Sequence, residues 1–208
     1  MPKNRRGTEE AILEAVTRII EAEGFGALGV NAVAEKAGTA KMLIYRYFGS
    51  YRGLLKEWAL RHSYWVQGVR NLEDVFGEAP GAPGPADQKF YAEVLRSLLS
   101  RQMRTLRENK VKREVLRWFI AEKNDVAAEA MERIEERGLE VSRLFRSRIE
   151  TEEDVETMVA VIVSGLNYLA LIADRTDVFN GVPLDTDEGW KRIETAVGRM
   201  IDKILLGD

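Results

Sequence analysis

The sequence predicts an all-α fold, and three observations carry the prediction. Apolar residues recur at helical spacing over most of the chain, as in Val30, Val33, Ala34 and Ala37 at i, i+3, i+4 and i+7. Glycines stand where such stretches stop, at Gly24 and Gly38. From Asp87 to Ile149 the helical pattern continues almost without a break.

The bulk properties fit a folded globular protein. The chain has 208 residues, 31 Lys and Arg against 34 Asp and Glu, one histidine and no cysteine. That length supports one large or two small domains. Without cysteine there is no disulfide, thiolate metal site or cysteine nucleophile, which suits a reducing compartment. No run of 18 apolar residues occurs and the amino terminus has no apolar signal region, so a cytoplasmic, non-spanning protein is expected.

The first helix is expected to start after Thr8 as N-cap, with Ile12, Val16, Ile19 and Ile20 as its apolar stripe. A short second helix follows Gly29, a weaker but permitted cap. Gly38 then supplies a turn with positive φ. The third helix, roughly residues 40 to 48, buries Ile44 and Phe48 and leaves Lys41, Met42, Tyr45 and Arg46 pointing elsewhere. Two helices this short are marginal alone, so longer neighbours must hold them. A short pair joined by a Gly-containing turn is the helix-turn-helix pattern, whose second helix enters a DNA major groove. Lys and Arg meet phosphates or guanine edges, and Tyr hydroxyls donate to phosphate oxygens. The net charge of −3 does not oppose this reading. Lys3, Arg5 and Arg6 form a basic arm, and Lys36, Lys41, Arg46, Arg52 and Lys56 follow, while Glu9, Glu10, Glu14, Glu21 and Glu23 lie on the first helix.

Gly24-Phe25, Ala34, Ala37-Gly38, Ile44-Tyr45-Arg46-Tyr47-Phe48, Ser50 and Leu54-Leu55 together resemble the DNA-binding domain of the TetR family of bacterial transcriptional regulators. The resemblance covers about a quarter of the chain. It implies a three-helix headpiece and a DNA-contacting set of Arg5, Arg6, Asn31, Thr39, Ala40, Lys41, Met42, Tyr45, Arg46, Tyr47, Tyr51 and Arg52. The sequence also departs from the family's pattern. Gly29 stands where Thr usually caps the second helix. Ala40 replaces the usual Ser, with the Thr39 hydroxyl as a substitute cap. Met42-Leu43 replaces a Gly or Pro followed by Thr or Ser, and Tyr51 replaces a phosphate-gripping Lys.

Beyond the headpiece a longer helix reads from about Tyr51 through Leu54, Leu55, Trp58, Ala59, His62, Trp65 and Val69. His62 reads as a packed residue rather than a ligand or base. Residues 77 to 86, with three prolines and three glycines, read as a surface loop inside the second domain, with an interdomain linker as the alternative. The division expected is 1–55 for DNA binding and 56–208 for effector binding and dimerisation. Phe90, Val94, Leu95, Leu98 and Leu99 mark one helix. Val115, Leu116, Trp118, Phe119 and Ile120 mark another, and a third runs near Val126 to Ile149. Arg101, Arg104, Arg107, Lys110, Lys112 and Arg113 read as a solvated basic face.

The stretch from Asp154 to Asp174 is apolar nearly all round, and the closing helix, about Glu188 to Leu206, carries Trp190, Ile193, Val197, Met200 and Ile204. A helix apolar all round must be covered all round, and a second copy of the chain is the natural cover. In TetR-like proteins the last two long helices pair about a dyad as a four-helix bundle. The interface expected here is Ala160, Ile162, Ser164, Asn167, Leu171, Val197, Met200, Ile201 and Ile204. Trp65, Tyr91, Met103, Trp118, Phe119, Phe145 and Tyr168 are candidates to line an apolar pocket for a small effector. No catalytic residue, metal ligand or cofactor is expected. The reading is a ligand-responsive DNA-binding regulator, most simply a dimeric repressor on a near-palindromic operator, with a helical adaptor that binds no operator as the alternative.

Overall fold

A computed structural model describes residues 5–62, 87–121, 125–146 and 154–207. Trp65, Val69 and the segment 77–86 lie outside the described residues. The fold is all-α apart from one two-residue hairpin, and the chain divides into two compact units. The first draws on residues 1–68 and 110–135, the second on 69–109 and 136–208.

In the first unit, α1 (Arg5–Glu23) runs into a 3₁₀ turn (Phe25–Ala27), followed by α2 (Val30–Lys36), α3 (Lys41–Phe48) and α4 (Tyr51–His62). Gly24, at φ 84°, is the stop. Helix α1 starts earlier than expected. An Arg5–Glu9 ion pair at 2.8 Å stabilises its first turn, so Thr8 is a buried residue inside the helix and not its cap. The core joins Ile12, Val16, Ile19 and Ile20 to Val33, Ile44, Leu54 and Trp58. It also takes in residues from much later in the chain. Val111, Val115, Trp118 and Phe119 of α6 (Lys110–Ala121) and Ala127 of α7 (Asp125–Arg146) belong to the same cluster. Two polar ties reinforce this: Lys110 Nζ donates to the Glu21 carbonyl at 2.9 Å, and Lys56 pairs with Glu129. His62 is packed, as expected. Its ring stacks on Trp58 with centroids 4.9 Å apart, and Nδ1–H donates to the Trp58 carbonyl at 2.8 Å.

In the second unit, α5 (Gln88–Glu108) packs against both α8 (Val155–Ile172) and α9 (Asp187–Leu206). Side-chain caps set three starts: Asp87 for α5, Asp154 for α8 and Thr186 for α9. Arg96 holds both carboxylate oxygens of Asp202, at 2.7 and 2.9 Å. The basic run is less solvated than expected. Arg107 pairs with Asp187 and lies over the Trp190 ring at 5.6 Å. In the first unit Lys112 is half-buried, and burial lowers its pKa.

Between α8 and α9 the chain makes a hairpin, β1 (Val178–Phe179) and β2 (Val182–Pro183). Asn180 and Gly181 both have positive φ, 48° and 76°, as a primed two-residue turn requires. Gly189, in the first turn of α9, meets the hairpin so closely that a Cβ there would sit 1.7 Å from the Pro183 carbonyl oxygen.

Helix α8 is the outlier in composition. Its mean hydropathy is 1.8, and most of it is left unburied by its own chain. Length and composition alone would let it cross a membrane, although Glu156, Ser164, Gly165 and Asn167 interrupt the apolar run. Ile162, Leu166 and Ala170 form its buried stripe.

Candidate nucleic-acid interface

Helix α3 owes its pose to α2 and α4. The turn before it depends on Gly38 at φ 61°, and Thr39 N–H donates to the Ala34 carbonyl at 3.0 Å. Ala40 is the N-cap residue and no side chain caps the helix, so the Thr39 hydroxyl does not take over the cap. At the other end Gly49 turns the chain at φ 74°, and Ser50 begins α4, its Oγ accepting from Gly53 N–H at 2.9 Å. Gly53 lies so close to α3 that a Cβ would stand 2.2 Å from the Phe48 carbonyl oxygen. Backbone therefore rests on backbone where α4 braces α3.

With Ile44 fully buried, the opposite face of α3 is committed to the outside. Lys41, Met42, Tyr45 and Arg46 are all exposed, Met42 at 73% and Tyr45 at 46%. Ala40, Asn31 of α2 and Arg52 of α4 are exposed as well. Three expected contact residues are half-buried: Thr39, Tyr47 and Tyr51. The two tyrosines pack against the headpiece core. Burial pushes the Tyr51 phenol up to about 12, so this hydroxyl keeps its proton and remains a donor. Arg5 and Arg6 are exposed on the first turn of α1, not on an arm before it. The Arg5 guanidinium lies 5.4 Å from the centroid of the Tyr47 ring, and its hydrogen bond to Glu9 raises its pKa.

The other candidate residues are more dispersed. Trp118 and Phe119 belong to the core of the first unit. In the second, Tyr91 meets Phe145 edge to face at 6.4 Å, and Met103 is buried. Tyr168 is 52% exposed and touches Phe179 of the hairpin. Trp65 lies outside the described residues. Of the expected dimer residues, Ala160, Ser164 and Met200 are exposed, and Asn167, Leu171 and Val197 are half-buried. Ile162, Ile201 and Ile204 are buried inside their own chain. The outward side of α8 instead presents Val161, 67% exposed, and Gly165, beside which a Cβ would meet nothing within 4 Å. Among the described residues no group of His, Cys, Asp and Glu is placed to hold a metal ion.

Residues 12–58 match the family model for bacterial regulatory proteins of the tetR family. No curated protein sequence matches the chain. Solved structures do match over nearly its whole length. NalD of Pseudomonas aeruginosa, the secondary repressor of the MexAB-OprM multidrug efflux pump, is similar with a TM-score of 0.63 and 19% identity, covering 97% of each chain. The transcriptional regulator FadR of Bacillus subtilis, solved with stearoyl-CoA, aligns with a TM-score of 0.63 and 15% identity over 96% of this chain and 98% of its own. A TetR transcription regulator from Haloarcula marismortui aligns with a TM-score of 0.67 and 15% identity over 96% and 99%. The amino-terminal headpiece is a TetR-family helix-turn-helix domain, carried on a chain that has the fold of TetR-like transcriptional regulators.

Proposed function

We propose that the protein is a DNA-binding transcriptional repressor that sits as a two-fold dimer on a near-palindromic operator and leaves it when a small, mainly apolar effector binds. The observation that carries this reading is the outer face of α3, where two cations, a phenol and a thioether are held outward by a helix whose inner face is locked by Ile44. Lys41, Tyr45 and Arg46 suit base edges and phosphates, and Met42 suits a thymine methyl. Asn31, Thr39, Ala40, Tyr47, Tyr51 and Arg52 flank them, with Arg5 and Arg6 beyond.

One short helix reads few base pairs. Two related by a dyad read half-sites about one helical turn apart, roughly 34 Å. The outward side of α8, with Ala160, Val161, Ser164 and Tyr168, and Met200 on α9, is the surface a second copy covers. Burying side chains such as Val161, Tyr168 and Met200 is favourable by about 1–2 kcal/mol each. The second unit is the effector domain. The stearoyl-CoA held by FadR supports a ligand with a long apolar part, and the apolar core of this unit supports the same. The protein acts in the cytoplasm and performs no catalysis.

A footprint of the purified protein on DNA flanking its own gene tests the reading. One protected near-palindrome, with affinity falling steeply as salt rises, is expected. A helical adaptor would protect nothing even at low salt, and that result would end the proposal.

A further inference from the structure

Buried polar side chains are rare among the described residues, and one of them is only half satisfied. Among the described residues just two buried side chains are polar, Thr8 in the first unit and Gln102 in the second. Gln102 is 1% exposed and sits in the apolar stripe of α5, with Leu98, Leu99 and Leu106 one turn away and Met103 beside it, all buried. Its Nε2 donates to Asn167 Oδ1 on α8 at 2.8 Å. Its Oε1 is buried and has no hydrogen-bond partner among the described residues. A leucine would fill the position with no polar group to satisfy, and a buried orphan acceptor is costly enough to need a reason.

We propose that Gln102 is the polar anchor of the effector site, its Oε1 accepting a hydrogen bond from a neutral donor on an otherwise apolar ligand: an alcohol, a phenol or an amide N–H. This rests on the effector-domain reading above and deepens it. In the structure the bond to Asn167 uses the Gln102 nitrogen and leaves the oxygen without a partner among the described residues. A carboxylate is rejected, because it would set oxygen against oxygen with no buried cation among the described residues to neutralise it. An ammonium is rejected as well, because no buried carboxylate among the described residues accompanies the amide. Along the chain Leu99, Met103 and Leu106 flank Gln102 on α5, and Leu166 and Ala170 flank Asn167 on α8, all of them buried.

Calorimetric titration of the full-length protein with 4-hexylphenol, 4-hexylanisole and 4-hexylbenzoate tests this. The first two differ in the methyl that replaces the hydroxyl hydrogen and so removes the donor, and the third carries the charge. The phenol is expected to bind at least about tenfold tighter than the anisole, with the benzoate weaker than the phenol. In Gln102→Met, checked for retained folding by circular dichroism, the phenol-to-anisole ratio should fall to about one. Equal binding of phenol and anisole to the unaltered protein, or a preference that survives in Gln102→Met, overturns this inference and leaves the effector domain standing. Binding of none of the three overturns the effector-domain reading along with it. The phenol–anisole comparison in the unaltered protein decides the question even where the variant fails to fold.

Discussion

Helices α3 and α8 both leave apolar side chains uncovered, and the company those side chains keep differs. On α3, Met42 and Tyr45 stand between Lys41 and Arg46 on the outer face of an eight-residue helix. On α8, Val161 and Tyr168 are exposed on an 18-residue helix whose only acid is Glu156, in its first turn, and which has no base at all. Cations beside an exposed ring suit a polyanion. Exposed apolar residues without charge suit only another apolar surface. The contrast supports the different partners proposed for the two helices, DNA for α3 and a second copy of the chain for α8.

The largest effect expected is at α8. Val161→Asp would place a carboxylate in the proposed dimer contact and cost about 3 kcal/mol or more of association. Sedimentation should show monomers and gel shift should show operator binding lost with the dimer. A monomeric variant that still protects a full operator would separate the two helices' roles. Ile162→Asp is the poorer test, because Ile162 is buried in its own chain and the change would damage folding first.

Next comes Gly53→Ala. Its Cβ would collide with the Phe48 carbonyl, so thermal stability should fall by about 2 kcal/mol and operator affinity should fall with it, while the dimer persists in sedimentation. Tyr45→Ala or Lys41→Ala should weaken operator binding by about 1–2 kcal/mol with the melting temperature unchanged; an unaltered footprint would remove them from the interface.

Two titrations complete the set. The Tyr51 phenol is raised by burial from 10.0 to about 12. The unfolded chain therefore loses this proton first, and headpiece stability should decline as pH rises from about 10 to 12. Tyr51→Phe should remove that slope in an alkaline denaturation series. Asp154 runs the other way. Its bonds to the Thr157 hydroxyl and backbone N–H hold its carboxyl below the ordinary value, so its contribution is present above that value and lost as pH falls through the depressed one. Asp154→Asn should flatten the acid limb of the second unit alone.

Much of the headpiece was legible because it is local. Gly38, Ile44 and the outward set on α3 follow from spacing within a few turns. What failed were inferences that needed tertiary context. Thr8 looks like a cap in sequence, but a buried threonine one turn into a helix looks the same. Trp118 and Phe119 read as pocket lining because large rings are the usual lining of an apolar pocket, and nothing in helical periodicity says that α6 joins the core of α1. A helix apolar on every side cannot reveal which side meets its own chain, and so Ile162, which is buried, was placed outward and the exposed Val161 was left out. The hairpin was readable: Asn180-Gly181 between Val178-Phe179 and Val182-Pro183 is a strong turn signal that the helical pattern around it obscured. Gln102 was readable too, as a polar residue at an apolar position of its stripe.

Under the proposed function, the contact at Gly53 bears on how such a regulator changes its target. Main-chain atoms hold the reading helix at its carboxyl end, so the angle at which it is presented does not depend on which side chains it displays. Substitutions at positions 41, 42, 45 and 46 can rewrite the message without moving the reader, which leaves specificity free to drift while the architecture stays put.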